Sequence, residues 1–169
     1  QEAAGIGSWE WDLRTGRLWW SDQTYRLHGL KPGEIEPTFE RHLEHVPSED
    51  RDAYRRTLDR AMRSGRPFEY ELRIRRPDGT VRDCICRGDV RSDEGGKTVA
   101  MVGTVVDVTE RKAGERREQH LTAVLRAIRN VNQLITQEKD RRRLISRACA
   151  ELLETRGYRA AWIAVTGQP

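Results

Sequence analysis

The sequence contains little cysteine and has no long apolar run. Its three cysteines, Cys84, Cys86 and Cys149, show neither the paired spacing of a metal motif nor a secreted disulfide framework. No apolar stretch approaches the roughly 18 residues that a membrane-spanning helix needs, and no signal peptide is visible. We therefore expect a cytoplasmic segment without a metal site or membrane contact, although the full-length protein could carry membrane helices elsewhere.

Catalytic motifs are also missing. We find no P-loop, no Ser/His/Asp arrangement and no paired-carboxylate site, so we expect no enzyme activity from this segment. The chain starts at Gln1 and ends at Pro169 directly after an apolar stretch. We interpret it as part of a longer protein that carries its output enzyme elsewhere.

The net charge of +4 hides an uneven distribution. Residues 1–109 hold 18 Lys and Arg against 20 Asp and Glu, whereas residues 110–169 hold 13 against 7. The basic excess is interleaved with acids and lacks a recognition-helix or aromatic pattern, so we favour a solvated helix face over nucleic-acid binding. The low apolar content of 36% also indicates a long exposed helix.

The first half of the sequence predicts a hairpin followed by three helices. Residues 8–13 alternate polar and apolar, and residues 18–20 begin a second strand after a turn. The helices are predicted to start at Ser21 or Asp22, at Thr38 and at Pro47-Ser48.

Residues 68–107 predict three strands. Residues 68–75 alternate strictly, residues 81–90 follow a Pro-Asp-Gly turn, and residues 98–107 are apolar on both faces. The order β-β-α-α-α-β-β-β is an α+β pattern. We predict a five-stranded antiparallel sheet with helices on one face, followed by a long C-terminal helix.

Four motifs, in order, resemble the PAS domains of the Trp-rich bacterial subclass. They are the opening strand Gly5–Leu13, the helix start Pro47–Arg51, the strand and turn from Phe68 to Gly79, and the exit motif Asp107–Lys112. The resemblance implies a PAS sensory domain over residues 1–109. Asp83 departs from the pattern, since many relatives carry an aromatic residue there.

Two further segments are predicted after this domain. Residues 110–137 form a signalling helix or coiled-coil linker. Residues 138–169, a helix followed by a buried strand, resemble the truncated start of a GAF domain.

Signal relay is predicted at Asp107, Thr109 and Glu110. The Asp107 carboxylate can accept N–H bonds from the first helical turn, and Glu110 can complete a capping box. The same atoms would serve either a simple helix cap or a latch that couples sheet to helix.

A dimer seam is predicted on the long helix. Apolar residues and one asparagine recur at spacings of four and three, as in a short coiled coil: Leu121, Leu125, Ile128, Asn132 and Ile135. We favour a homodimer through this seam over packing of the helix back onto the protein's own sheet.

The resemblance leaves haem, flavin, a small metabolite or no ligand open, and of these we favour no cofactor. A possible pocket is assigned to the inward aromatics and one histidine: Trp9, Trp11, Trp20, Tyr25, His42 and Tyr70. His42 could ligate a haem, but a satisfied histidine is the better interpretation. Cys84 and Cys86 lack the context of a flavin-reactive cysteine.

The sequence thus predicts a sensory and relay module of a multidomain bacterial signalling protein, with a sensor histidine kinase as the favoured output. The alternatives are a diguanylate cyclase or phosphodiesterase output and a ligand-free dimerisation scaffold.

Overall fold

The computed structural model describes residues 5–137 and 141–154. The chain divides into two compact units, Gln1–Lys112 and Ala113–Pro169. The buried strand predicted near the end of the segment 138–169 lies outside the described residues. Among the described residues, no helix combines the length and the apolarity needed to cross a membrane.

The observed elements follow the predicted order. In the first unit they are β1 (Ile6–Asp12), β2 (Leu18–Trp20), α1 (Asp22–Leu27), α2 (Phe39–Glu44), α3 (Ser48–Ser64), β3 (Phe68–Arg75), β4 (Val81–Ser92) and β5 (Thr98–Asp107). The long helix α4 (Thr109–Gln137) follows directly, and then α5 (Arg141–Glu154). The α+β architecture with a long C-terminal helix is therefore confirmed.

The helix ends lie where the sequence placed their caps. Ser21 Oγ accepts the Thr24 N–H at the start of α1, and Thr38 Oγ1 accepts the Arg41 N–H at the start of α2. At the end of α3, Gly65 adopts a left-handed conformation with φ of 62°. Glycine takes this conformation without the steric penalty of a Cβ atom, which stops the helix.

The five strands form one antiparallel sheet in the order β2-β1-β5-β4-β3. The last strand, β5, therefore lies in the middle, between β1 and β4. This central position explains why its residues are apolar on both faces.

The core lies between the inner face of the sheet and the helices. Alternation along β3 turns Leu72 and Ile74 inward, where both are buried with Met101 of β5. Tyr54 and Leu58, one turn apart on α3, cover this face. The period of two on the strand and of about four on the helix thus brings the apolar sides of both elements together.

Trp9 packs against two glycines, one on the adjacent strand β5 and one on β4, the strand beyond it. It lies opposite Gly103 of β5, which in turn lies opposite Gly88 of β4. A Cβ atom added at either glycine would approach the Trp9 ring to within 3.0 Å. The two glycines therefore leave the space in which the indole lies flat across the sheet.

We expect Gly103→Ala to destabilise the first unit by about 1–3 kcal/mol, because the new methyl group must displace the Trp9 ring or the sheet backbone. Urea unfolding followed by tryptophan fluorescence measures the change. Gly95→Ala is the matched control, since a Cβ atom there meets only an ordinary contact at 3.4 Å. Equal stability of the two variants would contradict this packing.

Candidate functional site

A cavity of about 30 Å³ lies between the sheet and the helices. Strand residues form one wall, and α1, α2 and α3 form the other. Its principal aromatic and polar lining residues are Trp9, Trp11, Trp20, Thr24, His28, Phe39, His42, Tyr54 and Cys86. Such a site is mostly apolar, with a few polar atoms that can select a ligand.

Four of the six predicted pocket residues line this cavity: Trp9, Trp11, Trp20 and His42. Tyr25 and Tyr70 do not. Tyr25 is buried, but its hydroxyl donates to the Ile35 carbonyl at 3.0 Å. Tyr70 is partly exposed and packs on Tyr54, which does line the cavity. The structure thus brings four of the six predicted residues together and leaves Tyr25 and Tyr70 outside the cavity.

The sequence interpretation missed His28. This residue follows α1, is 1% exposed, and stacks on Trp20 with ring centroids 4.1 Å apart. Its spacing of four from the buried Thr24 places both on one side of the helix. That spacing was the available signal, but a helix of only six residues does not reveal which side is buried.

His28 and His42 form a buried hydrogen-bonded pair. His28 Nδ1 lies 2.8 Å from the Thr24 carbonyl oxygen, which can only accept, so Nδ1 carries the proton. His28 Nε2 lies 3.1 Å from His42 Nδ1. With both rings neutral, His28 Nε2 is therefore the acceptor and His42 Nδ1 the donor. This leaves His42 Nε2 as an unprotonated acceptor.

The surroundings keep both rings neutral. Burial lowers the pKa of His42 to about 4, with a further contribution from the charge of His45. Burial also lowers the pKa of His28 well below its ordinary value, assisted by the charge of His42. The cause is the cost of placing an imidazolium ion in an apolar site.

Two of the residues that line the cavity also carry unpaired donors. The indole Nε1 atoms of Trp9 and Trp11 are buried and have no hydrogen-bond partner. Cys86 lies beside Trp9, but its sulfur is a weak acceptor and does not meet hydrogen-bond geometry with the indole. Burial raises the pKa of the Cys86 thiol to about 12, so the thiol stays protonated and unreactive at neutral pH.

Haem and flavin do not fit this cavity. Sites for ligands of drug size or larger usually occupy roughly 300–1,000 Å³, about ten times or more the space available here. His42 offers Nε2, but the aromatic rings around it leave no room for a macrocycle. Within residues 5–137 and 141–154, no three histidine, cysteine or acidic side chains form a cluster suited to a metal ion.

The second part of the site is the junction between the sheet and α4. Asp107 Oδ1 accepts the Thr109 N–H at 2.9 Å. Thr109 Oγ1 accepts the Asp83 N–H at 2.9 Å, and the Val108 N–H donates to the Asp83 carbonyl at 2.8 Å. Both backbone groups of Asp83 on β4 thus hold the first turn of α4. This role depends on the main chain, which explains why an aspartate can occupy the position.

The capping box predicted for Glu110 does not form. Glu110 is exposed and makes no hydrogen bond or ion pair with any residue in the described part of the chain. Of the two residues predicted to form the cap, Asp107 alone bonds to the first turn, two residues before the bonded N–H. On the following turn, Lys112 Nζ lies 2.7 Å from Glu71 Oε2 of β3 and adds an ion pair between helix and sheet.

The seam residues of α4 are exposed in the single chain. Leu121, Leu125 and Ile128 are 56%, 66% and 49% exposed, and Asn132 is exposed as well. Ile135 lies on α4, but its side chain is outside the described set. Ala127, on another side of the helix, is buried.

Comparisons with known proteins agree with the fold. A family model described as PAS fold matches residues 17–105, just over half of the chain. The crystal structure of a sensory box histidine kinase/response regulator from Burkholderia thailandensis is similar, with a TM-score of 0.61 and 26% identity. The match covers 73% of this chain and 92% of that chain.

Two curated relatives are similar over most of this chain. A blue-light-activated histidine kinase from Brucella anthropi is 33% identical over 114 residues, which is 68% of this chain and 22% of the relative. The probable diguanylate cyclase DgcE from Escherichia coli is 27% identical over 140 residues, or 83% of this chain and 11% of the relative. The chain thus spans less than a quarter of the length of either protein.

The buried histidines predict a stability that decreases with acidity. Above pH 6.5 both folded and unfolded histidines are neutral, and below it the unfolded state binds protons first. The free energy of unfolding should therefore decrease from pH 6.5 towards pH 4, by about 3 kcal/mol for His42 alone. Near-UV circular dichroism in urea, measured between pH 7.5 and 5, tests this.

His42→Gln should reduce the slope between pH 6.5 and 5, because glutamine does not titrate. His120→Gln is the control, since His120 is exposed on α4. A slope that is the same in all three proteins would show that the buried pair does not cause the loss.

Proposed function

Because the chain belongs to the PAS fold family, we propose that it is the sensory and signal-relay module of a multidomain bacterial signalling protein. The favoured output is a sensor histidine kinase, and the partners are a second copy of the chain and the downstream domains. The Brucella and Burkholderia relatives, both named as histidine kinases, support this choice.

One observation carries the relay: β4 and β5 each contribute to both the cavity and the junction. On β4, the cavity residue Cys86 is three residues from Asp83, which holds α4. On β5, the cavity residue Val105 is two residues from Asp107, which caps α4. A change in the cavity that shifts these strands therefore alters the hydrogen bonds that position the helix.

The helix α4 would carry the signal onward as part of a dimer. Three large apolar side chains exposed along one stripe are costly for a single chain in water, and a second copy would cover them. The stripe has the spacing of a coiled-coil seam, with Asn132 as the polar residue that can set the register. We assign residues 110–137 to this signalling helix and residues 138–169 to the start of a GAF-like domain.

A cyclic-dinucleotide output is the second candidate. The similarity to the cyclase DgcE, which covers 83% of this chain, supports it. Either output domain would lie outside this segment, and the PAS domain and the helix would pass the signal to it. A ligand-free dimerisation scaffold is less consistent with buried, unpaired donors in the cavity.

Replacing Thr109 tests the relay. Thr109→Val removes the acceptor of the Asp83 N–H, which costs about 1 kcal/mol and frees the first turn of α4. Amide hydrogen exchange should accelerate at residues 83 and 109–112. In the full-length protein, the output activity should no longer change when the sensory domain receives its signal, while the activity without the signal persists. Thr109→Ser keeps the hydroxyl and should behave like the original protein. An unchanged response in Thr109→Val would refute the relay.

Replacing the seam residues tests the dimer. Leu125→Asp/Ile128→Asp should convert the dimer to a monomer, because two buried carboxylates would oppose their counterparts across the seam. Multi-angle light scattering gives the mass directly. The control Gln119→Asp/Arg126→Asp adds two carboxylates at exposed positions off the seam and should stay dimeric. A seam variant of unchanged mass would exclude this interface.

A further inference from the structure

The hydrogen-bond pattern of the cavity specifies which ligand chemistry it can accept. Two donors, the Nε1–H groups of Trp9 and Trp11, point from β1 without partners and are shielded from solvent. Leaving such a donor unpaired in an apolar site costs free energy, so the cavity favours an occupant that brings acceptor atoms.

The histidine pair adds one acceptor. Because His28 Nδ1–H is committed to the Thr24 carbonyl, the chain of hydrogen bonds fixes His42 with its proton on Nδ1. His42 Nε2 has no partner within the described part of the structure, and His42 lines the cavity. An occupant therefore meets a fixed acceptor here, provided that it brings its own N–H or O–H donor.

The lining excludes a charged ligand. It contains no arginine, lysine, aspartate or glutamate, so neither an anion nor a cation would find a counter-charge. Both histidines are neutral at physiological pH because of their burial. Burying an unpaired charge is far more costly than burying a hydrogen-bonded polar group.

The size and shape of the cavity restrict the ligand further. About 30 Å³ is roughly twice the least space that one water molecule needs. The walls are flat rings, with Trp11 stacked on Phe39 at 4.5 Å and Trp20 stacked on His28 at 4.1 Å. A planar molecule of a few heavy atoms matches this space.

We infer that the cavity binds a small, planar, uncharged molecule of the amide type. Its carbonyl oxygen accepts from the indole groups of Trp9 and Trp11, and its N–H donates to His42 Nε2. This inference rests on the proposed sensory function and names the ligand class of the same site.

Three probes of the same shape test separately whether the ligand needs an acceptor, a donor and the absence of charge. Acetamide has both acceptor and donor, acetone keeps only the acceptor, and acetate carries a charge. The indole ¹H–¹⁵N signals of the full chain, assigned with Trp9→Phe and Trp11→Phe, report binding directly. Acetamide should shift both signals and saturate, with a Kd no tighter than about 4 × 10⁻⁵ M for four heavy atoms. Acetone should bind about tenfold more weakly, since one hydrogen bond is lost. Acetate should not saturate.

Variants locate the contacts. Trp11→Phe and His42→Phe should each weaken acetamide binding about tenfold, and His42→Phe should abolish the preference for acetamide over acetone. Trp19→Phe is the control, since Trp19 is 57% exposed and does not line the cavity. If His42→Phe does not fold, the comparison of acetamide with acetone on the unmodified protein decides the role of His42.

Several outcomes would overturn the inference. Equal affinity for acetamide and acetone would show that the ligand needs no N–H donor. Tighter binding of acetate than of acetamide would show that the cavity accepts a charged ligand. Indole signals that respond to no probe, and show contacts to bound water alone, would mean that ordered water fills the cavity. The hydrogen-exchange comparison of Thr109→Val with Thr109→Ser is independent of these probes. A failure of the ligand class is therefore distinguishable from a failure of the relay.

Discussion

The pairing of β5 with both β1 and β4 is the constraint on which the rest of this structure depends. It brings the first strand of the domain against the last, so that Trp9 lies over Gly103 and Gly88. It also places the end of β5 beside Asp83 of β4, where α4 begins. One strand therefore forms part of the cavity wall and also determines where the helix leaves the sheet.

The inner face of the sheet combines apolar packing with a few buried polar atoms. Most of the core residues, including Ile74 and Met101, are apolar, are buried away from solvent and need no hydrogen-bond partner. Most of the exceptions, the two histidines and the indoles of Trp9 and Trp11, belong to residues that line the cavity. Arg82 Nε, at the start of β4, is a further buried donor without a hydrogen-bond partner in the described part of the chain, and it does not line the cavity. Native interiors rarely leave such groups unpaired unless a ligand or water completes them, so their convergence marks the site.

Local patterns predicted much of the fold. The alternation of residues 68–75, the caps Ser21 and Thr38, and Gly65 at the end of α3 each specify an element through its own backbone chemistry. The apolar character of residues 98–107 on both faces agrees with their central position in the sheet. The pocket was predicted only in part, since aromatic type does not distinguish Trp11, which faces the cavity, from Tyr25, whose hydroxyl bonds to Ile35.

Local sequence patterns were enough to predict the order of the elements, the helix caps and the likeness to the PAS family, because these features depend on neighbours within a few residues. Only the tertiary structure decided that His28 meets His42 and that Asp83 holds Thr109, since these pairs are 14 and 26 residues apart. It also left Glu110 out of the cap, so that of the predicted pair only Asp107 bonds to the first turn of α4. Contacts between distant segments depend on how sheet and helices pack, and no local pattern encodes that geometry.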